Sequence, residues 1–252
     1  MKFVRFLRDG RDVWGIVDGD TVVEVRGSIF GDVRPTAVHE PLERVRLLAP
    51  VVPSKIIGVG LNYRDHAAET HQPVPTEPLL FLKAPSAIVG PEDPIVLPFA
   101  DHEVHPEAEL AFVIKRRAKN VTRQDAFQYI LGYTCANDVS DRTIQNPQKA
   151  RSQAKSLDTF APLGPVLVTD LDPTNLNVQC LVNGKVRQSS NTGQLVFDVP
   201  TLVAHISSLM TLFPGDVVLT GTPSGIGPIY PGDVVEVCVA GIGTLRNPVR
   251  AA

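Results

Sequence analysis

Turn-forming residues punctuate this chain from end to end: 22 prolines and 19 glycines are spread over 252 residues without gathering into low-complexity tracts. Proline fixes φ and donates no backbone hydrogen bond, while glycine takes the positive φ of tight turns, so most apolar runs between them are too short for long helices. The spacing predicts many short strands joined by tight turns, with few helices. Near the start, strands fall at Lys2 to Leu7, Val13 to Val17 and Thr21 to Val25, separated by Asp9-Gly10 and Asp18-Gly19. Asn183-Gly184, between Val178 to Val182 and Lys185 to Gln188, supplies the two positive-φ residues of a type I′ hairpin turn. The two prolines of Leu48-Ala-Pro50-Val-Val-Pro53 mark a boundary between a small β-rich unit, residues 1–50, and a larger one, residues 54–252. Helices are expected at 62–69 with Asn62 as N-cap, at 126–133, and at 199–212, where Leu202, Val203, Ile206, Leu209 and Met210 share one face.

Apolar residues make up 43% of the chain and charged residues 20%, which supports a sizeable core and argues against disorder. With 24 Lys and Arg against 27 Asp and Glu, the net charge of -3 offers no general attraction to nucleic acid or anionic lipid. No apolar run approaches the ~18 residues of a membrane span. The opening residues Met1-Lys-Phe-Val-Arg-Phe-Leu-Arg8 mix apolar and charged side chains and lack the apolar region of a signal peptide, so a cytoplasmic address is expected. Cys135, Cys180 and Cys238 form no Cys-x-x-Cys pair and are expected to be reduced core residues.

Lys55-Ile-Ile-Gly-Val-Gly-Leu-Asn-Tyr63 begins like a dinucleotide-binding fingerprint. Tyrosine stands where the third glycine belongs and no regular βαβ alternation follows, which sets a nucleotide-dependent oxidoreductase aside. Gly221-Thr-Pro-Ser-Gly-Ile-Gly227 reads equally as a tight turn and as a cradle of backbone N–H groups for a substrate carboxylate. Glu107 and Glu109 fall on an expected strand, where residues two apart project from one face. Two carboxylates there repel one another without a cation, and the apolar run Leu110-Ala-Phe-Val-Ile114 makes an unpaired charge beside it costly. Asp138, placed after a helix ending near Tyr133, adds a third acid. Three oxygen ligands suit a hard cation such as Mg²⁺ or Mn²⁺; an exposed acidic strand is the competing reading. His66 and Glu69, three residues apart on a helix, lie side by side, and a carboxylate beside an imidazole raises its basicity and fixes its tautomer, as a general base requires. An exposed surface pair is the alternative. His39, His71, His102, His105 and His205 are read as structural or surface residues.

Gly60-Leu-Asn-Tyr-Arg-Asp-His66, Phe81-Leu-Lys-Ala-Pro-Ser86, Glu107-Ala-Glu-Leu-Ala111, Asn137-Asp-Val-Ser140, Lys155-Ser-Leu-Asp-Thr-Phe-Ala-Pro-Leu-Gly-Pro165 and Phe213-Pro-Gly-Asp-Val-Val-Leu-Thr-Gly-Thr-Pro-Ser-Gly-Ile-Gly227 follow one another in order. From about residue 54 onward the chain resembles the fumarylacetoacetate hydrolase family in these motifs, and residues 1–50 resemble the small N-terminal domain of many bacterial members. The resemblance implies an α+β fold, a β-rich and barrel-like roll with few short helices. It also implies a Mg²⁺ or Mn²⁺ site, in which Ca²⁺ can substitute in crystals, and a homodimer. By motif, Glu107, Glu109 and Asp138 would be the metal ligands and Lys155 the cation beside the substrate. Lys83, Arg142, Gln145 and Thr222 would touch substrate carboxylates or oxo groups, and His66 with Glu69 matches the pair that activates water in hydrolytic and decarboxylating members. Two departures bear on substrate identity: Arg142-Thr143 where the family usually has Arg-Asp, and Ser152-Gln-Ala154 in place of an aromatic residue often found just before the lysine.

The resemblance thus implies a divalent-metal-dependent enzyme acting on a small 2-oxo or 2-hydroxy-dienoic acid. Three carboxylates outweigh one divalent cation, so an anionic substrate needs the positive charge of Lys155, Arg142 and Lys83. The substrate would chelate the cation through its carboxylate and 2-oxo oxygens, and the cation would stabilise the enolate formed when a C–C bond breaks or a proton moves. C–C bond hydrolysis or decarboxylation is the expected reaction. A 2-hydroxyhepta-2,4-diene-1,7-dioate-type isomerase of aromatic catabolism is the alternative. A non-catalytic metal-stabilised binding protein, which has no use for Lys155 or the His66–Glu69 pair, is a distant third. Residues 61–80, a short helix followed by Pro73, Pro75 and Pro78, are expected to form a lid that carries His66 and Glu69 to the substrate.

Overall fold

The computed structural model of the protein describes residues 1–148 and 150–252. Short strands dominate, as the turn spacing predicts. A twelve-stranded sheet runs in the order Val33–Pro41, Thr21–Gly27, Arg11–Asp18, Lys2–Arg8, Ala161–Val168, Ile130–Asn137, Ala108–Ile114, Val217–Leu219, Ile56–Gly60 and Leu79–Lys83. Arg46–Leu48 and Ile88–Val89 complete it beside Lys2–Arg8 and Ala161–Val168. The strands of residues 1–50 extend this sheet, joined where Lys2 and Phe3 pair with Val168 and Leu167. A second sheet of five strands runs Lys185–Asn191, Asn177–Val182, Val234–Val239, Gly243–Ala251 and Ile95–Leu97, and Val104–His105 pairs with Ser140–Asp141 in a short ribbon. Both main sheets follow open strand paths.

Ala108–Ile114 and Ile130–Asn137 are buried at every position. One face of the first, with Leu110, Phe112 and Ile114, packs in the same core as Val178, Val237 and Leu245 of the second sheet. The other, with Ala111 and Val113, packs with Ile56, Leu163 and Val217. A strand covered on both faces has no polar side to show, which is why this segment does not alternate cleanly in sequence. At roughly 1.5–3 kcal/mol per large apolar side chain buried, these two strands are anchored strongly, and they carry the site at their ends.

Three expected elements differ. The first helix is Arg64–Glu69, and Asn62 does not cap it. The Asn62 side chain is buried; its amide donates to the carbonyls of Thr220 at 2.7 Å and Phe197 at 3.0 Å and accepts from the Phe197 N–H at 2.8 Å. The segment 126–133 is a 3₁₀ turn, Ala126–Tyr129, followed by the strand from Ile130, because the sheet captures the apolar residues that mimic a helix face. The third helix ends earlier than expected, at Leu209, and is capped by Asp198, whose carboxylate accepts from the Thr201 N–H at 3.0 Å. Leu202, Val203 and Ile206 are buried on it, whereas Leu209 is exposed. Asn183 and Gly184 take φ of 53° and 72°, matching the hairpin expectation. Arg142–Gln148 and Arg151–Lys155 are short helices that the sequence pattern did not reveal. Among the described residues, no helix is long and apolar enough to cross a membrane.

Candidate active site

The antiparallel register Ala108 opposite Asn137 brings the start of one fully buried strand to the end of the other. Glu107 and Glu109 thereby meet Asp138, which follows a strand and not the expected helix. The Asp138 N–H donates to the Glu107 carbonyl at 2.9 Å, and the Glu107 N–H donates to Asn137 Oδ1 at 2.9 Å, locking the two strand ends together. Carboxylate oxygens of the three acids lie within 4.8 Å of one another. Glu107 is 5% exposed, and Glu109 and Asp138 are each 1% exposed, which removes the reading of an exposed acidic strand.

Bases surround two of the three acids. Lys155 Nζ donates to Glu107 Oε2 at 2.7 Å, to Asp138 Oδ2 at 2.7 Å and to Ser140 Oγ at 2.5 Å. Lys83 Nζ donates to Asp138 Oδ1, and Arg142 Nη2 to Glu107 Oε1. Burial pushes the Glu107 carboxyl up, but Lys155 and Arg142 together outweigh it and hold the group below the usual carboxylate range. Burial disfavours the Lys155 ammonium, yet Asp138 and Glu107 more than compensate, so Lys155 stays protonated. At Lys83 burial wins over the attraction of Asp138, and its pKa is lowered.

Glu109 differs. It accepts the Gly221 N–H at 2.6 Å, and among the described residues no basic side chain pairs with it. Burial, then Asp138 and Glu107, push its carboxyl well above the usual range, only partly offset by Lys155. A buried carboxylate with unmatched charge beside two others is the electrostatic signature of a place for a cation. The donor set, three hard oxygens, fits Mg²⁺ or Mn²⁺.

The three acids open on a cavity of about 270 Å³. His66, Arg142, Gln145, Lys155 and Thr222 line it as well, so eight of the ten residues singled out from sequence share one wall. Glu69 stands behind His66: its Oε2 lies 3.1 Å from His66 Nδ1, and its Oε1 accepts the Gly225 N–H at 2.9 Å. Lys83 does not line the cavity. It is sealed behind Asp138, with a second bond to the Phe160 carbonyl at 2.9 Å, and there it neutralises Asp138. Thr222 donates its hydroxyl to the Ala108 carbonyl at 3.0 Å and accepts from Gln188 Nε2 at 2.8 Å.

The Gly-rich loop follows the strand Val217–Leu219, which lies between Ala108–Ile114 and Ile56–Gly60. Gly221 takes φ of 100°, and a Cβ there would stand 2.8 Å from Asn62 Cβ, so only glycine fits. Its N–H and that of Gly225 serve the protein's own carboxylates, Glu109 and Glu69, in place of the expected substrate carboxylate. His105 and Glu103 also line the cavity, with His105 Nε2 2.6 Å from Glu103 Oε1 and Arg142 Nε 3.4 Å from His105 Nδ1. Burial, with Arg142, lowers the His105 pKa despite Glu103. In sequence His105 reads as a structural or surface residue; its place two residues before Glu107, in step with Glu109, is the signal that it shares their face.

Residues 55–250 match the family described as fumarylacetoacetate (FAA) hydrolase C-terminal, and residues 1–50 match the Rv2993c-like N-terminal family. The chain belongs to the fumarylacetoacetate hydrolase family. Among solved family structures, 5-carboxymethyl-2-hydroxymuconate delta-isomerase from Mycobacterium smegmatis is 46% identical, with a TM-score of 0.94 and full coverage of both chains. Maleylpyruvate hydrolase from Sphingobium sp. SYK-6, in complex with manganese(II) and pyruvate, is 32% identical, with a TM-score of 0.84 and full coverage of both. The mitochondrial oxaloacetate tautomerase fahd2 of Xenopus laevis is 48% identical over 218 residues, 81% of this chain and 68% of its own length. The family carries tautomerases, isomerases and hydrolases on one fold.

Proposed function

We propose that this protein is a divalent-metal-dependent enzyme that acts on a small 2-oxo acid through its enolate, with C–C bond hydrolysis or decarboxylation as the outcome. The observation that carries the reading is the convergence of three buried carboxylates, Lys155 and a carboxylate-backed His66 on one cavity of about 270 Å³. Residues 54–252 form the catalytic unit and residues 1–50 an added β-rich unit on its sheet, and the family pattern extends the reading to a homodimer.

Glu107, Glu109 and Asp138 would hold Mg²⁺ or Mn²⁺, which supplies Lewis acidity to the 2-oxo group. Lys155, protonated at rest, is a fixed positive charge where negative charge develops on the 2-oxo oxygen, and it costs no reorganisation during the reaction. Arg142 Nη1 donates to Gln145 Oε1 at 2.6 Å, and this pair presents its remaining polar atoms to an acid in the cavity. Glu69 draws the His66 proton onto Nδ1 and leaves Nε2 as the basic nitrogen. In hydrolysis Nε2 takes a proton from water that attacks the electrophilic carbon, and then returns it to the departing carbon.

A second reading is keto–enol or double-bond isomerisation, in which His66 only moves a proton to and from C3. It is favoured by the relatives: those named tautomerase or isomerase are 43–48% identical to this chain, and those named hydrolase are 32–38% identical. Both readings are tested by one assay of the purified protein with Mg²⁺ or Mn²⁺ against oxaloacetate, acylpyruvates, fumarylacetoacetate and hydroxymuconate-type dienedioates. Product release with loss of carbon–carbon bonds is expected under the first reading, and accelerated loss of enol absorbance without bond cleavage under the second. No metal-dependent turnover of any 2-oxo acid would overturn both.

A further inference from the structure

The basic side chains on the cavity wall are matched to acids with one exception. Lys155 is held by Glu107 and Asp138, Arg142 by Glu107, His105 by Glu103, and His66 by Glu69. Arg151 also lines the cavity, half-buried, and among the described residues no carboxylate pairs with it. Its Nε lies 3.4 Å from the point where a Cβ on Gly60 would stand, so the absence of a side chain at residue 60 leaves room for the guanidinium. The helix Arg151–Lys155 places the two cations four residues apart, hence on one face and about 6 Å apart along the axis. Lys155 points to Glu107 and Asp138, and the helix is tied down by Ser152 Oγ, which accepts the Leu82 N–H at 3.2 Å.

The cavity thus has three acids on its floor and, one helical turn from the Lys155 that meets two of them, a positive charge at Arg151 with no acid opposite it among the described residues. We infer that Arg151 is a specificity-determining residue that receives the second carboxylate of a 2-oxo dicarboxylic acid whose 2-oxo end lies at Glu107, Glu109 and Asp138. This inference rests on the reading of the floor as a metal and 2-oxo acid site. Guanidinium matches a carboxylate with two parallel N–H donors, and a half-buried one that meets no acid on the protein is free for that geometry. A monocarboxylate of the same size leaves Arg151 unpaired, so the residue selects by chain length and terminal charge.

The test is calorimetric titration of the Mn²⁺-loaded protein with two sets of acids. Oxalate and pyruvate end at the chelating unit; oxaloacetate and 2-oxoglutarate carry a second carboxylate, at two different reaches. The wild-type protein is expected to bind at least one dicarboxylate about 10-fold or more tighter than pyruvate, the scale of a charge-assisted contact. Arg151→Gln is expected to lose that gain while binding oxalate as the wild type does, and Arg151→Lys to keep part of it. Unchanged oxalate affinity in Arg151→Gln also shows that the floor is intact and the variant folded. A dicarboxylate preference that survives Arg151→Gln, or none in the wild type, overturns the assignment of Arg151 alone. Failure of oxalate to bind the wild-type protein overturns the reading of the floor, and the role of Arg151 with it.

Discussion

On the floor of the cavity, Glu107, Glu109 and Asp138 stand at the ends of two strands that are buried at every position, whereas on the rim His66 and Arg151 stand on helices of six and five residues. The floor is fixed by sheet hydrogen bonds and by packing on both faces. The rim is held by a few side-chain bonds, such as Ser152 to Leu82 and Glu69 to Gly225. Helices this short have little stability of their own and rely on such tertiary ties. The difference teaches where such a site can vary: the three acids stay with the sheet, whereas His66, Lys155 and Arg151 ride on short helices at its rim.

The comparison breaks most visibly at His66. His66→Ala should lower hydrolytic or decarboxylating turnover roughly 10²-fold or more, the usual scale for losing a general base, with enol–keto exchange less affected. Stopped-flow assays of both reactions on one substrate separate them. Equal survival of both would reduce His66 and Glu69 to a structural pair and favour isomerisation by other groups.

Next in size is a contrast within the floor. Glu109→Gln and Asp138→Asn should each weaken Mn²⁺ binding at least about 10-fold by titration calorimetry, the scale of damaged metal sites. Their effects on the metal-free fold should diverge. Asp138→Asn leaves Lys83 and Lys155 short of a buried partner and should cost about 3 kcal/mol in urea unfolding, whereas Glu109→Gln removes an unmatched buried charge and should cost nothing. Equal destabilisation by the two would deny Glu109 its special place.

A smaller effect concerns motion. With Mn²⁺ and oxalate at ten times its dissociation constant, hydrogen exchange in residues 64–69 should slow about 10-fold, because ligand binding suppresses opening by mass action. Ala108–Ile114 should not change. Slow exchange in 64–69 that ignores oxalate would show that this segment is not a lid. The smallest effect lies outside the site: Asp198→Ala should cost about 1 kcal/mol by loss of an N-cap and leave oxalate affinity untouched.

Much of this division was legible in the sequence, and the exceptions have a common cause. The Asn183-Gly184 hairpin and the apolar face of the helix from Val199 are local signals, and the structure contains both. The acids at 107, 109 and 138 were legible because carboxylates beside long apolar runs demand an explanation. What local pattern could not show was set by distant partners. Asn62 looks like a cap but is claimed by Thr220 and Phe197, and residues 130–133 look helical but are claimed by the sheet. Lys83 looks like a substrate contact but is claimed by Asp138, and Arg151 carries no local signal because an isolated arginine has no pattern at all.

The loop that begins at Gly221 ties these two regions to one ruler. Its N–H at Gly221 fixes a floor carboxylate, and four residues later its N–H at Gly225 fixes the carboxylate behind His66. Any shift of that backbone moves the would-be ligand and the would-be base in the same direction by a similar amount. Their separation, which decides whether a proton can pass from substrate to imidazole, therefore depends on the geometry of five consecutive residues, Gly221 to Gly225. An insertion within that ruler would detune ligand and base together.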